Sequence, residues 1–219
     1  MLRVQVAKPA GSVYQILCLG SHCDDIEIGC GGTILRLLQE HPNVAMHWVV
    51  FSSTPARAEE ARRSAMAFLE KAGKKEILIK EFEDGFLPYS GREVKTFFEE
   101  LKARVSPDLI FTHYRHDLHQ DHRLICELTW NTWRDHLILE YEVPKYDGDF
   151  GTPNFFVELD ESLCQRKTRS IVEHFGSQQQ KHWFAEETLL AALRLRGMEC
   201  RAATRHAEAF YSRKLVLGS

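Results

Sequence analysis

Two short stretches concentrate the side chains able to hold a cation or move a proton. The first is Ser21-His22-Cys23-Asp24-Asp25-Ile26-Glu27, running on into Ile28-Gly29-Cys30-Gly31-Gly32-Thr33. The second is Thr112-His113-Tyr114-Arg115-His116-Asp117-Leu118-His119-Gln120-Asp121-His122-Arg123. Each follows an apolar run, residues 14–19 and 109–111, and each leads into a helical pattern. A strand that ends in a polar loop and feeds a helix puts that loop at the carboxyl edge of a parallel sheet, where open α/β folds bind ligands. Together the stretches supply the two-histidine, one-carboxylate set of catalytic zinc, which keeps one coordination position open. Neighbouring side chains on an extended loop point in opposite directions. On that reading one of Asp24 and Asp25 holds a metal with His22 while the other faces a reacting water.

A lone histidine is more often a packing or capping residue than a ligand, but these are not alone. His113, His116, His119 and His122 recur every third residue, and zinc would take one or two of them at most. On a helix start His119 and His122 share a face, whereas His113 belongs to a strand end. Asp117 and Asp121 stand where they can orient histidine ring nitrogens, as metal sites usually require. The other histidines outside the two stretches have no such company and read as surface or packing residues.

The elements that must position these residues alternate. Strands are expected at 14–19, 43–51, 76–82 and 108–112, with later ones at 137–143 and 155–159. Helices are expected at 33–40, from about 55 to a stop at Gly73, at 92–104, 120–133, 162–175 and 182–196. The tail from 201 to 217 mixes short segments. This alternation predicts an α/β fold: a Rossmann-like, doubly wound, mostly parallel sheet with helices on both faces. The 219 residues fit one domain spanning the chain. Between the last two expected strands lies a loop, residues 144–154, rich in aromatic and acidic residues. Tyr146, Asp147, Asp149 and Phe150 there suit a functional lid that borders the site and contacts its substrate.

Composition excludes several classes. A formal charge of -3 with scattered Lys and Arg argues against nucleic-acid binding and for a small-molecule partner. No uncharged apolar run approaches the ~20 residues that span a bilayer. Residues 1–10 lack the apolar core and cleavage site of a leader, so a cytoplasmic location is expected. The six cysteines form no CxxC pair and read as reduced packing thiols.

The stretch from Glu27 to Gly32 also resembles the glycine-rich turn of S-adenosylmethionine-dependent methyltransferases. Against that, strand core would have to contain His22, Cys23, Asp24 and Asp25, a costly burial of carboxylates, and Thr33 stands where a further glycine is needed. Structural glycines account for the pattern better.

The two stretches together, SHCDDIEIGCGGT and PDLIFTHYRHDLHQDHRLI, resemble the LmbE/PIG-L family of zinc-dependent N-deacetylases. That family's signatures read A-H-P-D-D-x-E and H-x-D-H. The likeness extends through RAEEA at 57–61, Asp84-Gly85 and AEAF at 207–210. It implies that His22, Asp25 and His122 bind Zn2+, or another divalent metal such as Fe2+, that Asp24 is the general base, and that His119 steadies the oxyanion. It also implies sugar contacts for Arg57 and Asp84, and an N-acetylated sugar or glycoconjugate as substrate. The segment YEVPKYDGDFGTPNFFVELDE resembles a subgroup associated with polysaccharide or glycoconjugate biosynthesis. Three departures stand out: Ser21 and Cys23 replace the usual Ala and Pro, and His206 stands where the family often has tyrosine. An assembly of identical chains is compatible with the sequence. The competing function classes are the methyltransferase and a catalytically silent binding protein on the same fold.

Overall fold

The protein is described here from a computed structural model that places Arg3 and residues 11–216. The leader reading of residues 1–10 and the end of the tail at 217 otherwise lie outside the described residues. Five strands run parallel: β1 (Tyr14–Gly20), β2 (Val44–Ser52), β3 (Lys74–Phe82), β4 (Leu109–His113) and β5 (Leu137–Tyr141). Two more, β6 (Phe155–Leu159) and β7 (His206–Tyr211), pair antiparallel to one another, and β7 pairs antiparallel to β5. The order is β3-β2-β1-β4-β5-β7-β6. The mostly parallel α/β sheet is therefore as expected.

Among the described residues six α-helices connect the strands: α1 (Asp25–Glu40), α2 (Pro55–Phe68), α3 (Gly91–Arg104), α4 (Gln120–Thr132), α5 (Glu161–His174) and α6 (Glu186–Glu199). Strand alternation divides the interior into two cores. Ile16, Cys18, Met46, Trp48 and Val50 pack with residues of α1, α2, α5 and α6. Leu17, Leu19, Val49 and Phe51 pack with Val94, Phe97, Phe98 and Leu101 of α3 and with Ile125 of α4. Helices thus cover both faces, and strands buried on both sides read as continuous apolar runs. Among the described residues no helix is long and apolar enough to cross a membrane.

Two expectations are corrected. Helix α1 begins at Asp25, eight residues before the expected Thr33, so the glycines belong to the helix and not to a loop. A Cβ on Gly29 would lie 2.1 Å from the Tyr141 ring, one on Gly31 2.7 Å from Phe68, and one on Gly32 2.4 Å from Leu159. They are glycines of close approach, and no cofactor-cradling turn exists there. The second correction is β7, which the tail conceals because its centre is charged. Glu208 is buried and accepts from Gly32 N and Thr33 N of α1 at 2.8 and 2.6 Å and from Lys167 Nζ at 2.5 Å.

The strand order reverses at β1, which has β2 on one side and β4 on the other. Such a switch point opens a crevice at the strands' carboxyl ends. Both chemistry-bearing stretches leave the sheet there.

Candidate metal and catalytic site

The segment after β1 holds Ser21 to Asp24, strand β4 ends on His113, the turn before α4 holds Asp117 to the N-cap His119, and the first turn of α4 holds Asp121 and His122. Ser21 N donates to His113 Nε2 at 2.9 Å and so ties the two loops together. His22, Asp24, Asp25, Asp117, Asp121 and His122 are all buried, and such groups must be paired or bind a cation.

His22, Asp25 and His122 converge. His22 Nδ1 lies 3.1 Å from His122 Nε2 and 3.3 Å from Asp25 Oδ2, and His122 Nε2 lies 3.5 Å from Asp25 Oδ1. The far side of each ring fixes its tautomer. His122 Nδ1 donates to Asp117 Oδ2 at 2.9 Å, and His22 Nε2 donates to Asp84 Oδ1 at 3.0 Å and Asp121 Oδ2 at 3.2 Å. In their neutral forms the two rings turn lone pairs toward one another, with a carboxylate beside them; burial would lower His22, but the carboxylates of Asp25, Asp121 and Asp84 outweigh it and raise its pKa well above the ordinary value. Three potential ligand atoms meet there. Ligand atoms about 2.0 Å from a tetrahedral zinc lie ~3.3 Å apart, so the residues fit a divalent metal.

His113 is excluded from this set by its own bonds. Its Nε2 lone pair is taken by Ser21 N, although it lies 3.2 Å from Asp25 Oδ2 and its ring stacks on His122. Burial alone would raise Asp25, but the imidazoles of His122, His113 and His22 outweigh it and hold this carboxyl well below its ordinary value. His122 is lowered, by burial and then by His113, which keeps the ring neutral and ligand-competent.

Asp24 is not on an extended loop as expected. It is the N-cap of α1, with φ -111° and ψ -8°, and Asp25 is the first helical residue. The two carboxylates nevertheless touch different partners. Asp24 Oδ1 accepts from Arg57 Nη2 at 3.2 Å, and Arg57 Nη1 reaches Asp84 Oδ2 at 3.4 Å. Burial, then the charge of Asp25, raises the Asp24 pKa against the pull of Arg57. A carboxylate made more basic and kept apart from the cluster of His22, Asp25 and His122 suits proton abstraction.

His119 caps α4, and its Nδ1 accepts from Asp121 N at 3.2 Å. The proton of the neutral ring is then on Nε2, a donor. The ring centroid lies 4.8 Å from that of His22 and 4.7 Å from that of His122. Burial and the two neighbouring histidines lower its pKa. Asp117 also accepts from His119 N at 2.8 Å, and Asp121 from Gly85 N at 2.8 Å and Leu87 N at 3.2 Å.

The loop 144–154 meets this cluster through Lys145, which the sequence did not single out, and through Asp149, which it did. Lys145 Nζ donates to Asp117 Oδ2 at 2.9 Å and to Asp149 Oδ2 at 2.5 Å, and Asp149 also accepts from Leu118 N. Tyr146 is turned elsewhere, its hydroxyl accepting from His182 N at 3.3 Å, and Asp147 is exposed. His206 lies on β7 with its Nδ1 3.2 Å from Thr204 O, away from the cluster's bonds. Tyr141 was also missed; its hydroxyl donates to Leu19 O at 2.7 Å and braces β5 against β1. No sequence signal distinguishes Lys145 from any exposed lysine, because its partners are distant in the chain. The thiols of all six cysteines are free and buried, Cys23 among them, and burial pushes its thiol up to about 12.

The family model described as PIG-L, GlcNAc-PI de-N-acetylase, matches residues 17–133. The chain is 26% identical to an uncharacterized deacetylase, YaiS, of Escherichia coli K12 over 73% of this chain and 89% of that protein. It is 29% identical to a diacetylchitobiose deacetylase of Thermococcus kodakarensis over 56% of this chain, spanning about half (50%) of that relative's length. Among solved structures, the N,N'-diacetylchitobiose deacetylase of Pyrococcus horikoshii superposes with a TM-score of 0.71 at 23% identity, covering 90% of this chain and 83% of that one. The 4-carboxy-2-hydroxymuconate hydratase GalB of Pseudomonas putida gives 0.75 at 18% identity, covering 94% and 99%. These two likenesses speak to the fold, which evidently carries more than one reaction.

Proposed function

The chain belongs to the PIG-L family of de-N-acetylases, and on that premise we propose that it uses a divalent cation, zinc in the first instance, to remove the N-acetyl group from an amino sugar or glycoconjugate. The observation that carries this reading is the convergence of His22 Nδ1, His122 Nε2 and the Asp25 carboxylate with their protons directed away. These three residues would hold the ion. When bound, it supplies a lowered water pKa and polarises the amide carbonyl.

The remaining work falls to side chains of this chain. Asp24, basic through burial, takes a proton from the attacking water as its oxygen bonds to the carbonyl carbon. His119 donates its Nε2 proton toward the oxygen on which negative charge develops. As the carbon–nitrogen bond breaks, Asp24 returns the proton to nitrogen, so acetate and a free amine leave. Arg57 holds Asp24 in place and, with Asp84, lies at the mouth where a sugar hydroxyl would bind. Tyr146 and Asp147 would meet the substrate only if the loop 144–154 moved toward the cluster, and Lys145 is the loop residue now nearest to it.

The reading is tested by measuring metal content and acetate release from N-acetylated sugars with purified protein. Stoichiometric metal together with acetate release supports it. Metal-free protein with full turnover would refute the metal role, and turnover confined to alkene hydration would favour chemistry like that named for the hydratase neighbour.

A further inference from the structure

We propose that Phe86 and Tyr89 form a platform for a second sugar ring, so that the substrate is an N-acetylated oligosaccharide rather than a monosaccharide. The inference rests on the deacetylase reading of the same site. Among the described residues, the exposed aromatics of the phenylalanine, tyrosine and tryptophan type are Phe86, Tyr89, Tyr146 and Phe150, and all four lie in the loops that follow β3 and β5 at the carboxyl edge. Phe86 is 49% and Tyr89 83% exposed, with ring centroids 5.7 Å apart. Leu87 between them is fully buried and anchors the turn. The fold gains nothing from leaving two aromatic faces in water beside that anchor.

The platform is fixed to the reactive cluster. Asp121, whose Oδ2 accepts from His22 Nε2, also accepts from the backbone of Gly85 and Leu87, on either side of Phe86. Gln120 Nε2 donates to Gly85 O at 3.1 Å and ties the same turn to the start of α4. Asp84 contacts His22 Nε2 at 3.0 Å, and Phe86 follows two residues later, at most ~7.6 Å along the chain. A sugar ring whose acetamide reacts at the cluster therefore leaves its linked neighbour beside the two aromatic faces. Aromatic rings suit that neighbour, presenting an apolar face to its CH groups and, for Tyr89, a hydroxyl at the rim. A lipid surface is disfavoured, since Glu83 and Asp84 place negative charge next to the turn.

The test compares N-acetylglucosamine with N,N'-diacetylchitobiose as substrates for the wild type, Phe86→Ala, Tyr89→Ala and the double variant. Both side chains are solvent-facing, so the variants should fold, and circular dichroism checks this. The wild type should favour the disaccharide in kcat/KM, and each variant should reduce that preference by about 5-fold, the scale of one lost ring contact. Equal losses on both sugars, or no change, would overturn the platform while leaving deacetylation intact. If neither sugar releases acetate, saturation-transfer NMR decides. Disaccharide binding that depends on Phe86 and Tyr89 upholds the platform and rejects deacetylation of these sugars. Absence of such binding rejects the platform.

Discussion

His22 Nδ1 and His122 Nε2 face each other across 3.1 Å, and each ring spends its N–H on a carboxylate behind it. Two lone pairs directed at one another are repulsive until a proton or a metal ion lies between them. His122→Ala removes one of three ligands and should abolish both metal content and turnover. Metal analysis of the purified variant checks this. Full metal retention would transfer the ligand role to another residue, and His119, which forms a candidate ligand group with His22, is the first to test.

Asp24 and Asp25 are adjacent and chemically identical, yet they touch different partners. Asp25→Asn should lower metal affinity, with partial recovery of turnover in added zinc. Asp24→Asn should keep its metal and lose about 10²- to 10⁴-fold in kcat, the usual worth of a general base, with no recovery. Metal content and kcat measured with and without zinc separate the two. The opposite pattern would reverse the assignments.

Asp117 places one oxygen between His122 Nδ1 and Lys145 Nζ and the other on His119 N. Asp117→Ala should therefore weaken metal binding or activity by about 10–100-fold, the range for groups that orient a metal ligand. A competition titration against a chelator measures it, and unchanged affinity together with unchanged turnover would remove Asp117 from the positioning role.

Lys167 and Glu208 form a buried pair, with Lys167 Nζ also donating to Ile28 O at 2.6 Å. Lys167→Met leaves Glu208 charged without its cation and should cost about 3–5 kcal/mol. Adding Glu208→Gln to that variant should restore part of the loss. Urea unfolding of the metal-free single and double variants provides the numbers, and a loss under ~1 kcal/mol in the single variant would show that the Gly32 and Thr33 amides suffice to hold Glu208.

Gly29 packs its backbone against the Tyr141 ring. Gly29→Ala forces a Cβ into that ring and should destabilise by about 1–3 kcal/mol, even though alanine is the better helix former. A thermal scan showing unchanged or raised Tm would mean that Tyr141 moves freely, contrary to its hydrogen bond with Leu19 O.

The periodicity of apolar residues determined by itself that strands alternate with helices, because burial on two sheet faces leaves a local imprint at every turn. The same holds for the two reactive stretches, whose residue types are unusual enough to be noticed without coordinates. What the chain could not disclose is set by partners far apart in sequence. Helix α1 starts at Asp25 although three glycines argue locally for a turn, since Tyr141, Phe68 and Leu159 reward their missing side chains. Strand β7 is recognisable only once Lys167 and the α1 backbone are seen to neutralise Glu208. Lys145 becomes part of the site, and Tyr146 turns from it, through contacts that no spacing encodes. Tertiary structure also divided the duties of the histidines. His113 and His122 are alike in sequence, but Ser21 N occupies the lone pair of one and Asp117 frees that of the other.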